Sequence, residues 1–144
     1  MSGSDYYLDT SAILPYYRQE AKSGAIQDLL ISLTPPLLLS SLSRVEFASA
    51  LARWVRMNEL TDSQADLVQV TFDQDVQSGL FRVTAVEGSH YNLAEKWISK
   101  RATSIRTLDA VHLACAHSLG ATVITCDIIL SNAADILGLQ ARLV

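Results

Sequence analysis

The feature that most constrains this chain is an alternation. Apolar runs of three to six residues recur along it, separated by longer stretches whose apolar residues repeat at helical spacing. Such runs suit strands buried on both faces. Parallel neighbours need helical crossovers between them, so the pattern predicts a parallel sheet covered by helices. Five strands are expected: Tyr6 to Leu8, Leu37 to Ser40, Phe81 to Val86, Thr122 to Cys126, and Ala141 to Val144 as the weakest. Val45, Ala48, Leu51, Ala52 and Val55 outline a helix after the second strand. Thr61 with Gln64 three residues on forms a capping-box pattern that opens another. Leu93, Trp97 and Ile98 form the apolar face of a further helix. Thr107 is the expected cap of a helix through Val111, Ala114 and Cys115 that stops at Gly120, and the last helix runs from about Ile128 to Leu137 and ends at Gly138. Pro35 and Pro36 mark a loop.

The 144 residues are enough for one domain with a real core, expected over residues 5–144 behind a Ser/Gly leader at 1–4. The longest apolar stretches fall far below the roughly 20 residues that cross a bilayer, and no charged start precedes an apolar run of signal-peptide length. Cys115 and Cys126 lack the spacing of a zinc site or a disulfide framework. A soluble protein of the reducing cytoplasm is expected. Eleven Lys and Arg against fifteen Asp and Glu give a net charge of −4, so any nucleic acid would be gripped locally rather than by bulk positive charge.

Most acids lie in polar stretches. Asp9, Glu46, Asp109 and Asp127 instead interrupt apolar sequence, as Asp28 and Asp135 also do. A bare buried carboxylate is costly, so such residues must be paired, hydrogen-bonded or bound to metal. The first four stand apart by position. Asp9 and Asp127 end expected strands, and Glu46 and Asp109 fall in the first turns of expected helices, so all four can face the cleft beyond the carboxyl ends of the strands. Each also has a plain structural reading. Glu46 closes a capping box with Ser43, Asp109 suits the helix dipole, Asp9 belongs to a strand-to-helix turn capped by Thr10 and Ser11, and Asp127 caps the last helix. Four like charges on one rim would repel, and Arg44 alone cannot neutralise them. A divalent ion is the economical counter-charge, and oxygen ligands favour Mg²⁺ or Mn²⁺ over zinc or copper.

These residues carry a family resemblance. Asp9-Thr10-Ser11-Ala12, Ser43-Arg44-Val45-Glu46, Leu108-Asp109-Ala110-Val111-His112-Leu113-Ala114 and Thr125-Cys126-Asp127 resemble the four acidic motifs of PIN domains, above all the VapC-type toxins of toxin–antitoxin pairs. The likeness extends from Tyr6 to the last strand. Many relatives have an aromatic residue where this chain has Cys126. The resemblance implies a three-layer α/β/α fold with a five-stranded parallel sheet in the order 3-2-1-4-5. It implies a Mg²⁺- or Mn²⁺-dependent endoribonuclease leaving a 5′-phosphate and a 3′-hydroxyl. Asp9, Glu46, Asp109 and Asp127 would hold the metal, while Ser11 orients a ligand carboxylate or a water and helps to cap the first helix. A small antitoxin, a homodimer and an RNA substrate are the implied partners. Subtracting the four acids from fifteen leaves eleven, equal to the Lys and Arg, so the surplus negative charge would be the metal site itself.

Other features are weighed beside this. Lys96, Lys100, Arg101 and Arg106 form the most basic stretch and lead into the Asp109 motif; they read as an RNA-backbone track or as a solvated helix and loop. Arg53 and Arg56 make a smaller group. Asn132 is read as a solvated helix residue. His90 and His117 read as surface residues, and His112, on the Asp109 face of its helix, as a support of the site or a satisfied core residue; none is assigned acid–base work. Trp54, Trp97 and the Tyr16-Tyr17 pair read as core or interface anchors. A haloacid-dehalogenase-like phosphatase would need Asp at position 11, which is Ser, and a receiver domain would need a late lysine, which is absent after Lys100. The alternative that stays open is a catalytically silent PIN domain serving as an RNA-binding or scaffolding module.

Overall fold

A computed structural model describes residues 5–144; the expected leader at 1–4 lies outside the described residues. The chain runs β1 (Tyr6–Leu8), α1 (Thr10–Tyr17), α2 (Ser23–Ser32), β2 (Leu37–Ser40), α3 (Ser41–Arg56), α4 (Asp62–Gln77), β3 (Phe81–Thr84), α5 (Gly88–Ser99), α6 (Thr107–Ser118), β4 (Thr122–Thr125), α7 (Ile128–Ile136) and β5 (Ala141–Leu143). The five strands form one sheet in the order β3-β2-β1-β4-β5, with every neighbouring pair parallel. The expected order holds. The middle strand β1 sets Tyr7 opposite Leu38 on one side and Val123 on the other.

Alternation along these short strands divides the core. Tyr7, Leu38 and Val123 point into one apolar cluster with α5, α6 and α7, whereas Leu8, Leu37, Leu39 and Ile124 point into another with α1, α2, α3 and α4. Helices thus cover both faces. Because the sheet order reverses about β1, the carboxyl end of that strand opens a crevice between the two helical layers. Among the described residues no helix is long and apolar enough to cross a membrane.

The expected β1 and β2 match the observed strands, while β3, β4 and β5 each stop one or two residues earlier than expected. Helix α2 carries no bounds in the sequence reading. In α3 the apolar phase differs from the sequence reading: Ser43, Phe47 and Leu51 are buried, while Val45, Ala48 and Ala52 face outward. Phe47 explains the rotation. It stacks on Phe72 of α4 with centroids 4.2 Å apart, and Tyr17 meets both rings edge-on, so the bulkiest side chains set which face is buried. Tyr17, half-buried, therefore packs against the core. It also donates a hydrogen bond of 2.5 Å to Asp75. Helix α6 is buried from Ala110 to Ala116 and needs no amphipathic face.

The helix ends follow local chemistry. Thr61 and Gln64 form the expected capping box on α4. Helix α6 starts after Arg106 rather than at a Thr107 cap, and α3 starts after Ser40, whose box partner is Ser43. Glu46 therefore stands in the second turn of α3, free of capping duty. Gly120 and Gly138 adopt φ of 65° and 75°, the left-handed conformation that closes the C-termini of α6 and α7. Asp28 and Asp135 are exposed, so only the other four interrupting acids need a special account.

Candidate active site

Asp9 follows directly on β1 and is 3% exposed. It caps α1 itself: one carboxylate oxygen, Oδ1, accepts the Ala12 amide at 3.3 Å and the Ser11 hydroxyl at 2.7 Å, and Oδ2 accepts the Thr125 hydroxyl at 2.9 Å. Those hydroxyls are themselves held. Ser11 Oγ accepts the Cys126 amide at 3.0 Å and Thr125 Oγ1 accepts the Asp127 amide at 2.9 Å. Two strand-to-helix turns are thereby tied to one carboxylate. Burial still dominates its titration. It pushes the Asp9 pKa up from 3.8 to about 6, against the opposing pull of the Ser11 bond, the His112 charge and the Thr125 bond.

Asp127 caps α7 as expected, with Oδ1 accepting the amides of Ile129 at 2.8 Å and Leu130 at 3.4 Å. Its Oδ2 faces Arg106 Nη2 at 3.6 Å, and Arg106 Nε lies 3.4 Å from Asp109 Oδ2. Arg106 bridges the two acids. Burial raises the Asp109 pKa, and the Asp127 charge adds to the rise while Arg106 opposes it. Glu46 is the exception. Burial would raise it, but hydrogen bonds from His112 and Thr10 and the His112 charge outweigh that and hold it below the usual carboxylate range. The Thr10 hydroxyl donates to Glu46 Oε1 at 2.6 Å, and His112 Nε2 meets the same oxygen.

Asp9, Ser11, Glu46, Asp109 and Asp127 line one cavity of about 480 Å³, together with Thr10, Arg53, Arg106 and His112. All four predicted acids are gathered there. The counter-charge is not Arg44, which pairs with Asp73 at 2.6 Å, but Arg53 and Arg106. Lys96, Lys100 and Arg101 are exposed and do not line this cavity. His112 is buried, with Nδ1 2.6 Å from the Tyr7 hydroxyl, whose own pKa burial pushes up. His90 is half-buried rather than a plain surface residue: its Nδ1 accepts the Glu87 amide at 2.9 Å and its Nε2 meets Ser118 Oγ at 2.9 Å. His117 is exposed against the edge of Trp97, and Asn132 is exposed as expected.

A family model described as the PIN domain matches residues 6–136. The chain belongs to the PIN-domain family. No curated protein matches it by sequence. Among solved structures, this PIN domain superposes on FitAcB from Neisseria gonorrhoeae with a TM-score of 0.74 at 20% identity, covering 94% of this chain and 95% of that one. VapC20 of Mycobacterium tuberculosis, described as a toxin that cleaves the sarcin–ricin loop, gives 0.67 at 17% identity over 90% and 95%. VapBC2 from Rickettsia felis, bound to a promoter DNA fragment, gives 0.69 at 13% identity over 96% and 98%. The fold is that of the VapC and FitB toxins.

The donor chemistry of this site fits a hard divalent cation. Every acid offers oxygen; burial raises the carboxylates of Asp9 and Asp109, and the Asp127 charge adds to the rise at Asp109, a condition that a cation relieves. Among the described residues no three His, Cys, Asp or Glu side chains close around one point, with Arg106 bridging Asp109 and Asp127. The sequence reading missed Thr10, Thr125 and Arg53 as parts of the site. Thr10 and Thr125 sit inside the quoted motifs, two residues or fewer from an acid, and that adjacency was the available signal.

An acid whose pKa is higher folded than unfolded stabilises the fold below its unfolded pKa, and that contribution fades as pH rises through the folded value. For Asp9 the rise from 3.8 to about 6 corresponds to roughly 3 kcal/mol of stability lost between about pH 4 and pH 7 without metal. Asp9→Asn cannot ionise. Whatever constant offset the amide brings, urea unfolding in chelator should show the variant gaining on the wild type by about 2–3 kcal/mol across that window; parallel pH profiles would refute the assignment.

Proposed function

We propose that this PIN domain is a metal-dependent endoribonuclease, the toxin of a toxin–antitoxin pair. The observation that carries the reading is the convergence of Asp9, Glu46, Asp109 and Asp127 on one cavity at the carboxyl end of β1. These four residues would hold Mg²⁺ or Mn²⁺. Such an ion, when bound, lowers the pKa of a water and offsets charge on the phosphate under attack. The chain's own residues do the rest. Ser11 and Thr125 fix both oxygens of Asp9, the amides of Ile129 and Leu130 fix one oxygen of Asp127, and Thr10 fixes one oxygen of Glu46. Arg106 is 73% exposed at the rim and positioned to contact a phosphate of the substrate strand. The four retained acids favour this reading over a silent RNA-binding or scaffolding domain.

Purified protein should cleave a structured RNA only with Mg²⁺ or Mn²⁺, and Asp9→Asn and Asp127→Asn should each lower the rate at least about a hundred-fold. Circular dichroism checks that both variants stay folded. Cleavage by Asp9→Asn at the wild-type rate would sink the assignment.

Lys96 and Lys100 on α5 and Arg101 just beyond it are exposed, and we read them with Arg106 as the track for the RNA backbone. In the inactive Asp9→Asn background, Lys100→Glu with Arg101→Glu should weaken RNA binding and reduce the slope of log affinity against log salt by about 0.7 per lost contact. An unchanged slope removes these residues from the interface.

A small antitoxin covering the cavity suits the apolar rim beside it, where Leu108, Ile128 and Ile129 are exposed at the starts of α6 and α7. A second copy suits the outer face of α4, where Leu67 and Val70 stand one turn apart and exposed. Co-expression with the product of a short reading frame abutting the gene should give a stable complex without nuclease activity, and light scattering of the free protein should give a mass near 31 kDa, twice that of the chain. A monomer, or a neighbour that neither binds nor inhibits, refutes the corresponding partner.

A further inference from the structure

His112 lies outside the acid set yet is more deeply enclosed than any of its members, at 1% exposure. Both ring nitrogens end on side chains of other elements. Nε2 meets Glu46 Oε1 of α3, and Nδ1 lies 2.6 Å from the Tyr7 hydroxyl of β1. That hydroxyl in turn lies 2.9 Å from Ser40 Oγ. Ser40 is the residue that caps α3, the helix that carries Glu46. The contacts therefore close a ring: Ser40 leads along α3 to Glu46, Glu46 to His112, His112 to Tyr7, and Tyr7 back to Ser40. Successive helical residues are about 100° apart, so a turn of α3 by one position would break both ends of the ring.

The ring also decides which oxygen of Glu46 is available. Thr10 and His112 both end on Oε1, and Oε2 has no hydrogen-bond partner among the described residues. A glutamate has three side-chain torsions and on an open helix face would sample many directions. A histidine that served only the core would hold none of the cavity's acids. This one ends on an acid of the cavity that also contains Asp109.

We infer that His112, backed by Tyr7 and Ser40, is a positioning residue that fixes Glu46 through Oε1 and leaves Oε2 to the cation. This rests on the metal-nuclease reading above. The test uses the two amides that each reproduce one imidazole nitrogen. Gln at 112 places an N–H donor near Nε2 and so keeps the bond to Glu46; Asn at 112 places one near Nδ1 and is too short to reach it. Mn²⁺ binding is measured by calorimetry on RNA-free protein, alongside kcat and KM for RNA and the melting temperature. His112→Asn should weaken Mn²⁺ binding about 10- to 100-fold and lower kcat with KM for RNA unchanged, while His112→Gln stays within a few-fold of wild type. Tyr7→Phe keeps the ring that fills the core and removes only the hydroxyl, so it should fall between the two even if an amide variant folds poorly. Equal Mn²⁺ affinity in wild type, His112→Asn and Tyr7→Phe overturns the inference alone. A wild type that binds no Mn²⁺ overturns the metal reading and this inference together.

Discussion

The structure turns on one buried carboxylate. Asp9 ends the middle strand, at the point where the sheet order reverses, and three donors from two strand-to-helix turns converge on it. Ser11 also accepts the Cys126 amide of the other turn, and Thr125 accepts the Asp127 amide of its own turn. The carboxylate is thus the common acceptor that sets β1–α1 against β4–α7. Its raised pKa shows that this satisfaction does not fully offset burial. A fold seldom keeps such a group for stability, because an apolar residue would pack there at lower cost. In the nuclease reading, that cost is offset by the role of Asp9 in the cavity.

Asp9 and Asp127 also show why a cap and a cavity residue are not competing descriptions. A carboxylate has two oxygens with about four acceptor positions between them, so one oxygen can serve the backbone while the other faces a cavity. Asp127 does this plainly: Oδ1 caps α7 and Oδ2 faces Arg106. Glu46 gives Oε1 to Thr10 and His112. Asp109 meets Arg106 through Oδ2 alone. Asp9 engages both oxygens, consistent with its place at the centre of the arrangement. At Asp127 the capping duty that made the sequence ambiguous is the means by which the fold aims the remaining oxygen.

What could be read before the structure follows from the range of each signal. Strands β1 and β2 were legible because short apolar runs bounded by polar residues and prolines leave few alternatives, and the strand order came with the family resemblance. The bounds of helix α2 were not legible because it opens at Ser23-Gly24 without a side-chain cap. The phase of α3 was misread because Val45, Ala48 and Ala52 make a helical stripe as regular as the true one, and only the distant Phe72 ring decides that Phe47 points inward. The acids were legible because a charge inside an apolar run is a local anomaly. Of their supports, Ser11 and His112 were legible from their places beside an acid, but the partners across the chain were not. His112 meets Tyr7 across 105 positions and Thr125 meets Asp9 across 116, distances over which a single sequence carries no pairing information.

The net charge of −4 divides differently once the cavity is known. Four acids and two arginines, Arg53 and Arg106, line it, leaving eleven acids and nine Lys and Arg elsewhere. The cavity and the remaining surface therefore carry about −2 each, and the surface is not neutral, as subtracting the acids alone had suggested. In the nuclease reading this places the attraction for RNA in two local sources. One divalent ion brings the cavity to neutrality and a second makes it positive, while the exposed run of Lys96, Lys100 and Arg101 supplies the outer grip. At physiological ionic strength screening acts over about 8 Å, so a phosphate near that run responds to it far more than to acids on the far side of the molecule. An acidic protein can bind a polyanion under these conditions, provided the metal and the basic track lie within one strand's reach of each other.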